Sequence, residues 1–200
     1  MSKLLVVLFV SALCTSNVIH AMQFTSSPQE AVGFYNIFAK GPHFESIVQE
    51  QIQMMTKTGL IEKLDAVYYQ TSGDEGLQYK INHTKFIHHA HVSGGSELDT
   101  LESMYNYCQS RPATKVLYLH TKGSFHASPA NTKFRRLLDC FNLAPHCIQA
   151  LDTYDTCGMR ISPHPMPHYS GNFFWATCRH VKGLVDPSWY RTNDSFIAIT

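Results

Sequence analysis

Two hydrophobic patterns alternate along the chain, short apolar runs and longer amphipathic stretches. Residues 31–39 (AVGFYNIFA) are nearly all apolar and are followed by Gly41-Pro42, which predicts a buried strand. In residues 44–58, apolar side chains recur at helical spacing among Glu and Gln, and Gly59 follows, so this stretch predicts an amphipathic helix. A strand followed by a helix is the unit from which α/β domains are built.

The same order of strand and helix recurs through the rest of the sequence. Pro145 lies inside the longest helical pattern, where it predicts a kink. Strands that alternate with helices predict a mostly parallel central sheet covered on both faces, that is, a three-layer α/β sandwich. The further strands are predicted at residues 66–69, 85–92, 116–119, 156–161 and 171–177, and the further helices at 97–108, 132–151 and 179–184.

The predicted strand 116–119 ends abruptly in a polar segment, His120-Thr121-Lys122-Gly123. In open α/β sheets the ligand binds just beyond the carboxyl ends of the strands, so side chains placed there are aimed at the ligand. An imidazole can exchange a proton near neutral pH, and a lysine ammonium offers three donors and a point charge to a phosphate. The pattern therefore predicts a binding edge here; a strand that ends at a solvated turn is the alternative.

Residues 169–176 (YSGNFFWA) are a second candidate, in which a turn runs into an aromatic strand. Gly171 lets a ligand approach the backbone closely, and Asn172 can both donate and accept hydrogen bonds. Trp175 offers a face on which a sugar ring or a base can stack. The alternative is a buried aromatic strand that follows a turn.

Four short segments occur in one order along the chain: Glu97-x-x-Thr100-Leu101, residues 117–123 (LYLHTKG), the pair Phe134-Arg135, and residues 168–176 (HYSGNFFWA). With these segments the chain resembles glycosyltransferase-like proteins similar to the rhamnan synthesis protein F family. That family's pattern also has an HTK motif, a Trp-Arg pair and a glycine-aromatic-tryptophan strand. The resemblance runs from about residue 32 to the C-terminus, and Phe134 stands where the pattern has Trp.

The resemblance implies a Rossmann-like, GT-A-type fold that transfers a sugar from a nucleotide-sugar donor to a hydroxyl of a glycan or another acceptor. His120 and Asp194 are the catalytic candidates, Asp194 because many GT-A enzymes use an acidic residue as the acceptor base. On the matching positions, the resemblance implies a donor-binding set of Glu97, His120, Thr121, Lys122, Gly123 and Arg135, and an acceptor-binding set of His168, Gly171, Asn172 and Trp175.

No Asp-x-Asp segment occurs in the chain, although many GT-A enzymes hold a divalent cation with one. We therefore expect a nucleotide-sugar as co-substrate but no metal site. On this hypothesis His120 and Lys122, with Arg135 or Arg136, supply part of the positive charge that the cation would provide. The missing motif leaves open a second reading, a catalytically inactive GT-A-like module that binds a carbohydrate or a partner.

Three histidines in the predicted strand 85–92 were considered as metal ligands. On a regular strand, His89 and His91 share one face and His88 lies on the other. Two histidines without a nearby cysteine or carboxylate do not make a zinc site, so the sequence predicts none here.

The N-terminal residues predict entry into the secretory pathway. Residues 1–21 contain Lys3, an apolar run at 4–10 and then small and polar residues, which is the layout of a signal peptide. Cleavage gives a protein of the ER or Golgi lumen or a secreted one, with no membrane span, and an uncleaved anchor is the alternative. The sequons at Asn82 and Asn193 fit the same compartment.

Composition and cysteine count add two limits. The formal charge of +1 provides no field that favours nucleic acid. The partners that the resemblance implies are a nucleotide-sugar and a glycan. Five cysteines follow residue 21, an odd number, so at least one is expected to stay unpaired or to pair between chains.

The expected domain is residues 22–200. The sequence ends only a few residues after Asp194, and a C-terminally incomplete sequence is the alternative. Nothing in the sequence indicates an oligomeric state.

Overall fold

The structure is a computed structural model, and it describes residues 29–74, 77, 79–164 and 167–192. The predicted signal peptide and the catalytic candidate Asp194 lie outside the described residues, as does the sequon at Asn193. No helix of the described part of the chain is long and apolar enough to cross a membrane.

A six-stranded sheet in the order β3-β2-β1-β4-β8-β5 forms the centre of the fold. The first four strands in this order are parallel, whereas β8 runs antiparallel to both β4 and β5. Strands β6 and β7 form a separate antiparallel pair. In chain order the strands are β1 (Ala31–Phe38), β2 (Ala66–Ser72), β3 (Phe86–Val92), β4 (Lys115–His120), β5 (Thr156–Cys157), β6 (Ile161–Ser162), β7 (His168–Tyr169) and β8 (Phe174–Thr177).

Helices cover both faces of the sheet. Alternate side chains of each strand point to opposite faces, and apolar side chains occur on both, so each face needs a covering layer. Tyr35, Leu117 and Trp175 face a core cluster that includes side chains of α1, α4 and α5. Tyr118 and Ala176 face a second cluster, which includes side chains of α3 and α6. The helices are α1 (Phe44–Thr58), α2 (Leu60–Lys63), α3 (Glu97–Gln109), α4 (Pro129–Asn142), α5 (His146–Ala150), α6 (Cys178–Lys182) and α7 (Ser188–Arg191).

Local signals set the ends of the main helices. Gly59 ends α1 with a left-handed backbone (φ 74°) and donates its N–H to the carbonyl of Thr56. Ser96 caps α3 in a capping box with Asp99. Ser128 caps α4 and Pro129 follows in its first turn. Helix α1 has the bounds predicted from the sequence, Phe44–Thr58.

The mixed α/β fold with a mostly parallel central sheet is confirmed and is consistent with a Rossmann-like fold. Three predicted elements are wrong in extent. The predicted strand 171–177 begins only at Phe174, as β8, after a 3₁₀ turn at Ser170–Asn172. The predicted helix 132–151 is two helices, α4 and α5, separated at Pro145, which interrupts helical hydrogen bonding. The predicted strand 156–161 pairs with β8 only at Thr156–Cys157, and the chain then turns into β6.

A bulge in β3 overturns the predicted alternation of its histidines. The pairing of β2 with β3 shifts between Tyr69 and Gln70, so that His89 is an extra residue in β3. His88 and His91 therefore reach the same hydroxyl, that of Thr71, although the regular alternation would place them on opposite faces.

Two disulfides join the elements of the domain. Cys108 at the end of α3 is bonded to Cys178, and Cys147 of α5 is bonded to Cys157 of β5. Cys140 is unpaired and exposed within the described residues. The expectation that at least one thiol stays outside the intrachain pairs is confirmed.

Candidate functional site

A cleft of about 400 Å³ opens at the carboxyl ends of β1, β2 and β4, on the side of the sheet that α3 covers. This is where the predicted binding edge was placed, and ligand pockets of α/β sheets occur at this edge. Strand ends, the start of α3 and the loop after β4 all contribute to its walls. Its lining includes Asn36, Ser72, Glu97 and the four residues of the segment His120-Thr121-Lys122-Gly123.

His120 and Glu97 form the polar centre of this cleft. Nδ1 of His120 lies 3.2 Å from Oε1 of Glu97, and the His120 side chain is 13% exposed against 37% for Glu97. Nε2 of His120 lies 3.0 Å from the carbonyl oxygen of Gly171. Oε2 of Glu97 accepts hydrogen bonds from the Tyr118 hydroxyl at 3.1 Å and from Nδ2 of Asn172 at 3.3 Å. Segments far apart in the sequence thus meet at one carboxylate.

Protonation of His120 is governed by opposing influences. Burial lowers the pKa of His120 below its ordinary value, whereas the Glu97 carboxylate and the Gly171 carbonyl raise it. Both ring nitrogens face acceptors, and a neutral imidazole, which has one N–H, can donate to only one of them. Burial and the charge of Glu97 also raise the pKa of Tyr118, which keeps its hydroxyl a donor. His120 can therefore donate to both Glu97 and Gly171 only as the charged imidazolium.

The loop after β4 is held in place by its own side chains and backbone. The hydroxyl of Thr121 is buried and accepts a hydrogen bond from the N–H of Phe38 at 2.9 Å, which ties the ends of β4 and β1 together. Gly123 has a left-handed backbone (φ 82°), and a Cβ there would lie 3.3 Å from Cβ of Asn131. Nζ of Lys122 lies 5.6 Å from the centre of the Phe134 ring. An aromatic face leaves the ammonium able to meet an anion.

Arg135 and Arg136, predicted to meet the donor phosphates, are bound to groups of the protein. The buried Arg135 donates to the carbonyl of Lys122 at 3.1 Å and to Oε2 of Glu50 at 3.3 Å. Arg136 is exposed and pairs with the same Glu50 carboxylate at 3.0 Å. Although burial raises the pKa of Glu50, its hydrogen bonds and charge contacts with the two arginines hold it below the usual value. Arg135 thus supports the Lys122–Gly123 loop from behind.

The aromatic segment divides between the site and the core. Gly171 (φ 79°) sits in a short 3₁₀ turn, Ser170–Asn172, and presents its carbonyl to His120. Asn172 is exposed and contacts Glu97. The prediction that Trp175 stacks on an acceptor sugar is wrong: its side chain is fully buried and Nε1 donates to the carbonyl of Asn142 at 2.8 Å.

The register of β8 explains the error. Because strand residues alternate, Trp175 points to the face of the sheet covered by α4, while Phe174 and Ala176 point to the face that carries the cleft. His168 lies in β7, paired with Ser162, and is half-buried.

Several cleft residues were not predicted from the sequence, and two of them lie at strand ends. Asn36 and Ser72 lie at the carboxyl ends of β1 and β2, beside the strand end that carries His120. Nδ2 of Asn36 donates to the carbonyl of Ser96 at 3.0 Å, whereas the buried hydroxyl of Ser72 has no partner. The polar end of a strand, the signal that found His120, also applies to Ser72, whereas the signal for Asn36 is a polar residue inside an otherwise apolar run.

The described cleft does not present a set of metal ligands. Glu97 is the carboxylate among its lining residues. Elsewhere in the described residues, His146, Cys147 and Cys157 lie close enough together to hold a metal ion, but the two cysteines are bonded to each other. A disulfide leaves no thiolate to bind a metal.

The fold and cleft define an α/β protein with a mostly parallel sheet and a ligand-sized cleft at the carboxyl edge of its strands. Residues 34–197 match the family described as Domain of unknown function (DUF8361), and the chain belongs to that family. No curated protein matches the sequence.

Two solved structures share a loose likeness with the chain. One is Rv0371C in complex with manganese, from Mycobacterium tuberculosis H37Rv, with 10% identity, a TM-score of 0.40, and coverage of 84% of this chain and 84% of that one. The other is 4-diphosphocytidyl-2C-methyl-D-erythritol synthase from Anaerococcus prevotii DSM 20548, with 11% identity, a TM-score of 0.37, and coverage of 84% and 85%. At these TM-scores neither likeness carries an argument about function.

Proposed function

We propose that this protein is a glycosyltransferase-like enzyme of GT-A type, which binds a nucleotide-sugar in the cleft and transfers the sugar to a hydroxyl of a glycan or another acceptor. The observation that carries the proposal is the meeting of Glu97, His120 and the Lys122–Gly123 loop at the carboxyl edge of the parallel strands. The resemblance of the HTKG and SGNFFW segments to glycosyltransferase-like proteins supports the same reaction.

The donor diphosphate is proposed to lie against the loop after β4. Lys122 supplies a positive charge that is held over the Phe134 ring, and Gly123 lets phosphate oxygens approach the backbone. The unpartnered hydroxyl of Ser72 can add one hydrogen bond at the opposite wall. A cleft of about 400 Å³ lies within the size range of small-molecule sites.

The acceptor proton is proposed to pass to the His120–Glu97 pair. Glu97 reaches the cleft, and its two oxygens are oriented by His120, Tyr118 and Asn172. A carboxylate held in this way can accept a proton from a hydroxyl as the glycosidic bond forms. Asp194, predicted from the sequence as the acceptor base, stays a second candidate for that role.

A binding module without catalysis is the second candidate function, and one observation favours it. Both ring nitrogens of His120 and both terminal nitrogens of Arg135 are engaged by groups of the protein. Of the charged side chains at the cleft, Lys122 and Glu97 are therefore the two that a ligand can contact directly. A carbohydrate can bind to such a site without any bond being broken.

Nucleotide binding separates the two candidates. We expect calorimetry with the full chain to detect at least one of UDP, GDP, CDP and dTDP. Because a direct charged contact contributes about 1.5–3 kcal/mol, Lys122→Ala should weaken that binding by this amount. Lys80→Ala, which changes an exposed lysine that does not line the cleft, is the matched control. Binding of free glycans with none of the four nucleotides would reject the enzyme in favour of the binding module.

We also propose that the protein works in the secretory pathway. Two disulfides support an oxidising compartment, and the sequon residue Asn82 is exposed in the loop before β3. In cultured eukaryotic cells we expect an endoglycosidase to increase the mobility of the wild-type chain. Asn82→Gln should shorten that shift, whereas a chain with free thiols throughout and no shift would contradict the proposal.

A further inference from the structure

A second opening lies between helices α1 and α4, apart from the candidate cleft. Its volume of about 810 Å³ is within the size range of small-molecule sites. His43, Ser46 and Glu50 line it from the start and the first two turns of α1. The first turns of α4 form the opposite wall, and Gly123 lines both this α1–α4 groove and the cleft.

The α1–α4 groove carries more positive than negative charge. Its described lining residues include three permanent cations, Lys133, Arg135 and Arg136, and one carboxylate, that of Glu50. Both oxygens of Glu50 already accept hydrogen bonds from the arginines, Oε1 from Nε of Arg136 at 3.0 Å and Oε2 from Nη2 of Arg135 at 3.3 Å. Glu50 therefore offsets one of the three positive charges, and a surplus of two is left to attract an anion.

The α4 wall also keeps donors that the described part of the chain does not use. Within the described residues, the exposed ammonium of Lys133 makes no hydrogen bond or ion pair. Arg136 is 63% exposed and uses Nε and Nη2 on Glu50, which leaves Nη1 for a ligand. The N–H at Nε of the buried Arg135 has no partner there either. Ammonium and guanidinium groups bind anionic oxygens through charge-assisted hydrogen bonds, so this wall suits an anionic ligand.

The same lining favours a sugar over other anionic ligands. The hydroxyls of Ser46 and Thr132 can exchange hydrogen bonds with sugar hydroxyls. No phenylalanine, tyrosine or tryptophan lines the groove in the described residues, so a nucleobase has no such ring on which to stack. Apolar contacts are limited to Ile47, Ala127 and Pro129, which leaves a protein partner without a deep anchor site.

We propose that the α1–α4 groove binds an acidic sugar of the acceptor glycan, one that carries a carboxylate or a sulfate. Lys133 and Arg136 contact the acidic group, while Glu50 holds the two arginines in place. Because Gly123 lines both openings, a glycan of several sugars can reach the cleft with one end while an acidic sugar further along lies in the groove. That this glycan is the acceptor rests on the proposed function; that it binds does not.

Calorimetry of the full chain with matched oligosaccharides tests the groove at physiological salt. The probes are a tetrasaccharide of alternating glucuronate and N-acetylglucosamine, the same tetrasaccharide with its carboxyls reduced to alcohols, and a sulfated oligosaccharide without uronate. We expect saturable binding of at least one acidic probe and no binding of the reduced one. The two acidic probes separate a carboxylate from a sulfate as the recognised group.

Single variants locate the binding. Lys133→Ala and Arg136→Ala should each raise the dissociation constant of the acidic probe by about tenfold, the effect of losing one charged contact. Lys57→Ala is the matched control, because Lys57 is an exposed lysine in the last turn of α1 and does not line the groove. Thermal melting shows that each variant is folded; if Arg136→Ala is not, Lys133→Ala carries the test.

Nucleotide binding distinguishes failure of this inference from failure of the proposed function. Lys133→Ala should leave the affinity for the nucleotide unchanged, because Lys133 does not line the cleft. Binding of an acidic glycan without any nucleotide would reject the transferase and keep the groove as a glycan site. Binding of neither acidic probe, equal binding of the reduced probe, or full affinity in Lys133→Ala would each overturn the inference, whether or not a nucleotide binds.

Discussion

Nδ1 of His120 and Oε1 of Glu97 lie 3.2 Å apart, although one residue ends a strand and the other begins a helix. The contact exists because β4 ends and α3 begins at the carboxyl edge of the sheet, so that residues 23 positions apart in sequence meet there. Gly171 and Asn172 complete the network from a third segment. The polar centre of the cleft is thus a product of the parallel topology.

Replacing Glu97 by glutamine should lower the pKa of His120 further. The Glu97 charge is the main influence that raises this pKa against the effect of burial, and Glu97→Gln removes the charge while it keeps the shape. Titration of the His120 ring signals by NMR measures the change. Glu102→Gln, an acid of the same helix that pairs with Arg191, is the control. An unchanged His120 pKa in Glu97→Gln would show that the contact is absent in solution.

Because of the buried carboxyl of Asp139, we expect the free energy of unfolding to fall as the pH rises. Oδ1 of this buried carboxyl accepts from Nε2 of Gln51 at 3.0 Å and Oδ2 has no partner, and burial raises its pKa to about 7. Between about pH 4 and pH 7 the folded state therefore holds a proton that the unfolded state has released, so the free energy of unfolding falls by about 1.4 kcal/mol per pH unit from this group alone. Above pH 7 the loss is complete.

Asp139→Asn should remove this dependence while it keeps an acceptor for Gln51. Urea unfolding of wild type and variant from pH 5 to pH 8 measures the difference between them, in which contributions from other groups cancel. Asp74→Asn, at an exposed acid, should reproduce the wild-type profile. Parallel profiles for wild type and Asp139→Asn would contradict the raised pKa.

An alanine at Gly171 should destabilise the fold for two reasons. The backbone there has φ of 79°, and an added Cβ would lie 2.6 Å from Cδ1 of Leu138. A residue with a side chain in that backbone region costs about 1–3 kcal/mol before the collision is counted. Gly94→Ala is the control, because no atom lies within 4 Å of its Cβ position. Equal unfolding free energies for the two variants in urea would contradict the prediction.

The two disulfides should contribute unequally to stability. The chain-entropy model gives a loss of roughly 4 kcal/mol when Cys108 and Cys178, 70 residues apart, are both replaced by alanine. It gives roughly 3 kcal/mol for Cys147 and Cys157, which are 10 residues apart. Denaturant unfolding of the two double variants measures both losses. A larger loss for the shorter loop would show that packing around Cys147 and Cys157 outweighs chain entropy.

The elements that the sequence predicts well are those with local signals at their ends. Helix α1 was predicted at its exact residues because its apolar spacing ends at Gly59, a residue suited to the left-handed backbone that closes a helix. The end of β4 was predicted because an apolar run stops at His120. Strand β5 was overestimated, since the length of an edge strand depends on its partner, and β8 pairs with it at only two residues.

The face that a side chain occupies was harder to predict than the strand that carries it. The resemblance placed Trp175 in the acceptor set, whereas the pairing of β8 with β4 puts Trp175 opposite Leu117, on the face that packs against α4. The face of each strand residue depends on this register, which the sequence alone does not show. In β3 the cause is a local backbone departure, the bulge at His89, which changes the alternation after it.

The bond between Cys108 and Cys178 has a consequence for the cleft, not only for stability. Glu97 begins α3 and Cys108 lies near its other end, while Asn172 precedes β8 and Cys178 directly follows it. One covalent link therefore joins the far ends of the two elements that bring Glu97 and Asn172 together at His120. While Cys108 and Cys178 are oxidised, this bond restrains the placement of α3 relative to β8, and so the two segments that converge on His120.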